Sequence, residues 1–334
     1  MIRCSAPGRA GIIGNPSDMY GGSVISCTTQ ERAEVILEES DQLSFESGGK
    51  NLVVKKEEDL LLNGDEFDIP RAVVRFLGLE GLKVKLHLKT DIPLRAGLSG
   101  STAMLVATLN ALLAFTEEDL NRFQRAELAR QIELDLMKIV CGYQDAYMCT
   151  FGGINFMDFR DKQFYRGPEK EPYGTVESLN PYVKEIPFVV AHTGLQRVSG
   201  SVHKPIRDRW LEGEKKVLEA YVRMAQLARM GKKALIEEDW EKLGALMNEN
   251  HHLQRDLGGS GEKNEELIRV ALECGALGAK LAGAGGGGTI IALHLEPEEM
   301  IRVLKNAGAE KILIPKPSEG VMVEVNAEPG KSGK

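Results

Sequence analysis

Little in this chain favours a nucleic acid, a membrane or an oxidising compartment. The formal charge is -7, so no basic excess exists to displace counterions from a phosphate backbone, and nucleic acid is not expected as a partner. No stretch approaches the roughly 20 apolar residues of a membrane span. The opening "MIRCSAPGRAGIIG" is broken by Pro7 and Gly8 and carries no signal-peptide core. Cysteines are few and odd in number: Cys4, Cys27, Cys141, Cys149 and Cys274 form neither metal-ligand pairs nor a disulfide framework. A cytoplasmic location is the expectation. There is no internal repeat, and no Gly-Lys-Ser/Thr sequence of a P-loop. "GLSGST" lacks the glycine spacing of a dinucleotide fingerprint.

What the chain does have is length and glycine. With 334 residues and 43% hydrophobic content, it can build two domains with cores of their own. "ERAEVILEE" and "LKVKLHLKT" alternate with period two and predict half-buried strands. "STAMLVATLNALLAF" is apolar nearly all round and predicts a helix buried on most sides. Thr116, followed by three acids, predicts the start of the next helix, which runs on towards "KIVCGYQD". The polar, proline-bearing stretch from about 160 to 185 predicts the junction. The expected division is an N-terminal domain over 1–170, a C-terminal domain over 185–328 and a mobile tail over 329–334.

Three segments carry glycines beside small hydroxyl residues: "APGRAGIIGNPSDMYGG", "LRAGLSGSTA" and "LAGAGGGGTIIAL". The second leads straight into the buried helix. A helix start offers free N–H groups and a positive dipole end, which suits an anion, and hydroxyls add donors or a magnesium ligand. A Ser/Gly-rich helix start with no ligand explains the segment equally well. In the first segment, Asn15 and Asp18 are suited to sugar hydroxyls, although "NPSD" is also an ordinary turn signal. Asp145, in "CGYQDAY", reads from spacing alone as an acid in a loop.

Taken together and in order, the three segments resemble the motifs of the GHMP kinases, over nearly the whole chain. "GNPSDMYGG", "GYQDAYMCTFGGINFMDF" and "SGSVHKPIRDRWLEGE" further resemble the plant-type glucuronokinases within that family. The resemblance implies an α+β, two-domain GHMP kinase fold, with an N-terminal domain like ribosomal protein S5 domain 2 and a ferredoxin-like C-terminal domain. It implies an ATP- and Mg²⁺-dependent enzyme that phosphorylates the anomeric hydroxyl of a sugar, with glucuronate as the expected acceptor. A heptose or neutral hexose kinase, and a non-catalytic sugar-binding protein, are the alternatives. A homodimer is compatible with it.

The resemblance also assigns roles. Gly97, Leu98, Ser99, Gly100, Ser101 and Thr102 would bind nucleotide, with Ser101 on the magnesium. Asp145 would accept or orient the acceptor's proton, and Arg9 would hold Asp145 ionised. Asp18, Asn15, His203, Gly285 and Gly286 would bind substrate. Arg71, Arg197, Lys204, Arg207 and Arg209 are further cations available to a substrate carboxylate. The chain departs from many relatives in reading Ser99-Gly100-Ser101 for Gly-Ser-Ser, and Asn15 for Glu.

Overall fold

The structure, a computed structural model, describes residues 1–325 apart from 94, 164–165, 167–169, 185, 196–198 and 284–287, and apart from the side chains of 199–204. The expected tail, Gly285, Gly286, Arg197 and the side chains of His203 and Lys204 therefore lie outside the described residues.

Two long strands form the spine of the first sheet. β1 (Ile2–Ile13) and β2 (Ser23–Glu39) pair antiparallel from Ile2↔Leu37 to Ile13↔Ile25. The register shifts between Pro7 and Arg9 and again between Gly11 and Ile13. Such bulges bend a strand and re-aim its side chains. The first glycine segment thus begins inside β1, and its second half, residues 14–22, forms the connection to β2.

β3 (Ser44–Ser47), β4 (Lys50–Val53) and β5 (Val84–Thr90) extend the sheet on one side. β6 (Ile154–Asp158) pairs with the other half of β2, and β7 (Thr175–Ser178) with β6. Helices α1 (Asp68–Leu77), α2 (Gly100–Phe115), α3 (Arg122–Asp135) and α4 (Gln144–Phe151) accompany this sheet. α2 packs on β1 and β2 with the other three around it. Its residues from Thr102 to Leu113 are all buried, as its uniform apolarity requires.

The second sheet holds β8 (Phe188–His192), β9 (Gly278–Leu281), β10 (Thr289–Leu293) and β11 (Lys311–Leu313). Its order is β11-β8-β10-β9, with every pair antiparallel. Helices α5 (Ser199–Leu211), α6 (Lys215–Ile236), α7 (Trp240–Asp256) and α8 (Glu262–Glu273) connect β8 to β9, and α9 (Pro297–Asn306) connects β10 to β11. This is the ferredoxin-like β-α-β-β-α-β plan, with extra helices in the first crossover. The last strand, β12 (Met322–Val325), returns to the first sheet and pairs with β1. We propose the expected domain division with that one amendment, since β12 completes the first sheet.

Two local expectations change. Thr116 closes α2: its hydroxyl donates back to the carbonyls of Leu112 and Leu113, at 3.1 and 3.3 Å. Asn121 opens α3 by a reciprocal cap with Gln124, at 3.0 and 2.9 Å. Hydroxyl and amide side chains serve either end of a helix, and the backbone decides which. The following helix stops at Asp135, so Asp145 does not trail it. Asp145 lies in the first turn of α4.

Candidate active site

The three glycine segments converge, through hydrogen bonds that no local pattern foretells. The N–H of Arg9 donates to Leu98 O at 3.0 Å, and that of Gly11 to Ala282 O at 2.9 Å. Thr289 Oγ1 donates to Ala96 O at 2.6 Å. Gly283 lies so close to the second segment that a Cβ on it would stand 2.5 Å from Gly97 O. The third segment therefore needs glycine for close approach, and not only for turning.

A cavity of about 720 Å³ opens beside this junction. Arg9 and Asp145 meet on its wall. Arg9 Nε and Nη2 donate to Asp145 Oδ1 at 2.8 and 2.6 Å, and Nη1 donates to Gly97 O at 2.8 Å. The guanidinium is buried and fully engaged, whereas the Asp145 side chain keeps 28% of its exposure. The carboxylate thus retains a face towards the cavity.

Asp18 lies on the same wall and is fully buried. It accepts from the N–H groups of Tyr143 and Gln144, at 2.8 and 3.0 Å, and from Gln144 Nε2 at 3.1 Å. Burial raises its pKa, and the nearby Asp145 adds to the rise, while the two backbone donors oppose it. The chain passes close here too: a Cβ on Gly142 would collide with the Asp18 carboxylate.

Gly97, Ser99, Gly100, Ser101 and Thr102 all line the cavity, at the N-terminal end of α2. Leu98 does not: its side chain is core, and only its backbone takes part. Ser99 holds a left-handed backbone, φ 61°, uncommon for a residue with a side chain. Its buried hydroxyl has no partner among the described residues. The free N–H groups of a helix start and this orphan donor face the same space.

Glu133, on α3, was not anticipated. It lines the cavity, is buried and accepts from Thr102 Oγ1 at 2.7 Å. One signal was available: it follows Ala126 and Ala129 on the buried stripe of α3, where a carboxylate is out of place. Burial raises its pKa to about 7; the Thr102 hydroxyl opposes the rise and Asp145 adds to it. The raised value means that the fold holds this proton more tightly than the unfolded chain, whose ordinary value is 4.5. The associated stability is complete below that value and is lost as pH rises to about 7. In metal-free protein, Glu133→Gln should therefore gain on the wild type by on the order of 3 kcal/mol between pH 4.5 and 8. Urea unfolding across that range checks it, and parallel curves for the two proteins would refute it.

Other expected residues are engaged elsewhere. Asn15 is fully buried and does not line the cavity: Lys280 Nζ donates to its Oδ1 at 2.7 Å, and its Nδ2 donates to Gly283 O at 3.3 Å. Arg71 is buried and pairs with Asp65 and Asp68, at 2.6 and 3.0 Å, so it braces the 64–69 rim of the cavity. Arg207 and Arg209 pair with Asp208 and Glu214. Arg95 and Lys138 also line the cavity; both are exposed, and neither makes an ion pair among the described residues.

Residues 68–153 match the family described as GHMP kinases N terminal domain, and residues 232–311 match GHMP kinases C terminal. The chain is 31% identical, over 325 residues, to a probable glucuronokinase 2 of Arabidopsis thaliana, covering 89% of this chain and 85% of that protein. It belongs to the GHMP kinases. A mevalonate kinase of Pyrococcus abyssi is 29% identical, with 97% and 98% of the two chains covered. A D-glycero-alpha-D-manno-heptose 7-phosphate kinase of Campylobacter jejuni is 27% identical, with 91% and 92% covered. Among solved structures, the Lin0012 protein from Listeria innocua shares the fold with a TM-score of 0.79 at 21% identity, covering 97% of this chain and 99% of that one.

As a GHMP kinase the chain is an ATP-dependent phosphotransferase, and the α+β, two-domain fold implied by its motifs is the one observed. The two matched spans contain the second and third glycine segments, Glu133 and Asp145. The first segment, with Arg9 and Asp18, precedes both and is tied to them only by the folded structure. Among the described residues no helix is long and apolar enough to cross a membrane.

Proposed function

We propose that this GHMP kinase transfers the γ-phosphoryl group of ATP to the anomeric hydroxyl of a sugar, with glucuronate as the acceptor. The observation that carries this reading is the Arg9–Asp145 pair, set between the buried Asp18–Gln144 wall and the N-terminus of α2 in one cavity. Phosphoryl transfer asks for alignment and charge neutralisation more than for covalent chemistry. Backbone N–H groups of 97–102 and the Ser99 hydroxyl would hold the nucleotide phosphates. Asp145 would orient the acceptor hydroxyl and take its proton through its open face. Arg9 would hold the Asp145 carboxylate in place and lie beside the developing charge. Asp18 and Gln144 would accept from and donate to the sugar's remaining hydroxyls.

The cavity suits magnesium. Its oxygen donors, the Ser101 hydroxyl and the Glu133 carboxylate, are of the hard kind that Mg²⁺ takes along with phosphate oxygens. Ser101 and Glu133 would hold the ion, which would neutralise charge on the transferring phosphates. Thr102 would then fix the Glu133 carboxylate by its hydrogen bond.

An acceptor carboxylate needs a cation, and Arg95 and Lys138 supply two at the cavity wall. His203 is retained as a third candidate. The cysteines, none of them in a disulfide, support a cytoplasmic enzyme. A second reading, a heptose phosphate kinase, is favoured by the same two cations and by the Campylobacter relative. Coupled ADP release across free sugars, uronic acids and sugar phosphates tests both. Turnover of glucuronate above the neutral hexoses is the expected result; turnover of a heptose 7-phosphate and no uronate would overturn it.

A further inference from the structure

Lys280 is fully buried on β9. Its amine donates to Asn15 Oδ1 at 2.7 Å and to Leu281 O at 2.5 Å, and no carboxylate pairs with it among the described residues. Burial lowers its pKa well below the ordinary value, and the positive charge of Arg9 lowers it further. His251, on α7, also interacts with it electrostatically, and Glu265 on α8 lies 3.0 Å from that imidazole.

The amine does not reach the cavity, but its partner is the hub of a network that does. Asn15 passes the contact on to Gly283 O, which Gln254 Nε2 also holds at 3.2 Å. Asn250 Nδ2 holds the backbone oxygen of Asn15 at 3.3 Å. Gly283 abuts Gly97 O, and Ala282 O accepts from both Gly11 N and Arg9 Nη1. A continuous run of contacts thus links Lys280 to the residues beside the carbonyl that Arg9 uses.

We propose that Lys280 is a positioning residue: through Asn15 it holds the third glycine segment against the second, so that Arg9 meets Asp145 in register. Asn15, expected on the substrate, acts in this network from behind the cavity. The inference rests on the reading of Arg9 and Asp145 as the catalytic pair.

Lys280→Met keeps the stem and removes the donors. It should lower kcat about 10²-fold, the cost of a misplacement near 1 Å, with a much smaller change in KM for ATP. Two orphaned acceptors will also lower stability. The double variant Lys280→Met/Asn15→Leu removes the orphaned Asn15 oxygen, leaves Gly283 O with its Gln254 donor, and should regain part of that stability. If Lys280 positions Arg9, the double variant stays slow although its Tm recovers. If the residue is only structural, kcat returns with Tm, and the proposal fails. Wild-type kcat in Lys280→Met would overturn it as well.

A readout independent of turnover is hydrogen exchange at Gly11, whose N–H donates to Ala282 O; it should quicken in both variants, and unchanged protection would sink the tether. Rates are taken on whichever panel acceptor the wild type uses. A wrong acceptor then shows in the wild type, and a wrong tether in the ratio of variant to wild type.

Discussion

Asp145→Asn should reduce kcat by about 10²–10⁴-fold, the range lost with a general base, while thermal unfolding stays near that of the wild type. The amide keeps the size and the acceptor oxygen, so Arg9 Nε and Nη2 still find a partner, at 2.8 and 2.6 Å from Oδ1 in the wild type. What is lost is the proton acceptor and the negative charge. Arg9→Met should show a comparable fall in kcat for a different reason. The guanidinium is shared among Asp145, Gly97 O and Ala282 O, so its loss frees the carboxylate and both glycine segments at once. Asp145 keeps 28% of its side-chain exposure, so water can solvate it and the fold should survive. Steady-state kinetics with circular dichroism on each variant decides the matter. Full turnover in either one would remove that residue from the catalytic pair.

The second large effect is expected at Gly283. A Cβ there would lie 2.5 Å from Gly97 O, inside any real contact; that oxygen is backbone, and a Cβ is fixed in place by its own backbone. Gly283→Val cannot relieve this by rotating a side chain. It must push the second segment away from the first and third, and so disturb the N–H groups in front of α2. KM for ATP should rise at least about tenfold, the equivalent of 1.4 kcal/mol, or activity should vanish. Gly283→Ala should fall between the valine variant and the wild type. Nucleotide titration by calorimetry isolates the binding step. A silent valine would show that the third segment is a plain bend before β10, with no part in nucleotide binding.

Much of this was legible in the order of residues. Period-two alternation marked β2 and β5, and unbroken apolarity marked α2 as a buried helix. Three glycine-bearing motifs in sequence carried the family, and with it the candidates Arg9 and Ser101, because such motifs record backbone conformations and chemical groups that few other residues supply; Asp145 came from the separate "GYQD" stretch. Ser101 needs no distant partner to reach the cavity, and its exposed hydroxyl lies where the local stretch suggested.

The rest belonged to tertiary structure. Arg9 and Asp145 are 136 residues apart, and Lys280 and Asn15 are 265 apart. No short window contains either pair. Asn15 has the chemistry of a sugar ligand, but a buried amine and the Gly283 carbonyl occupy both ends of its amide. Arg71 has the chemistry of an anion site, but Asp65 and Asp68 engage it. Glu133 has no motif at all; Thr102 and the cavity give it meaning. Sequence by itself determined which functional groups the chain carries and which backbone shapes it can adopt. Packing decided which of those groups are already spent on one another and which still face the cavity, because a buried donor or acceptor must be satisfied by whatever the fold brings beside it.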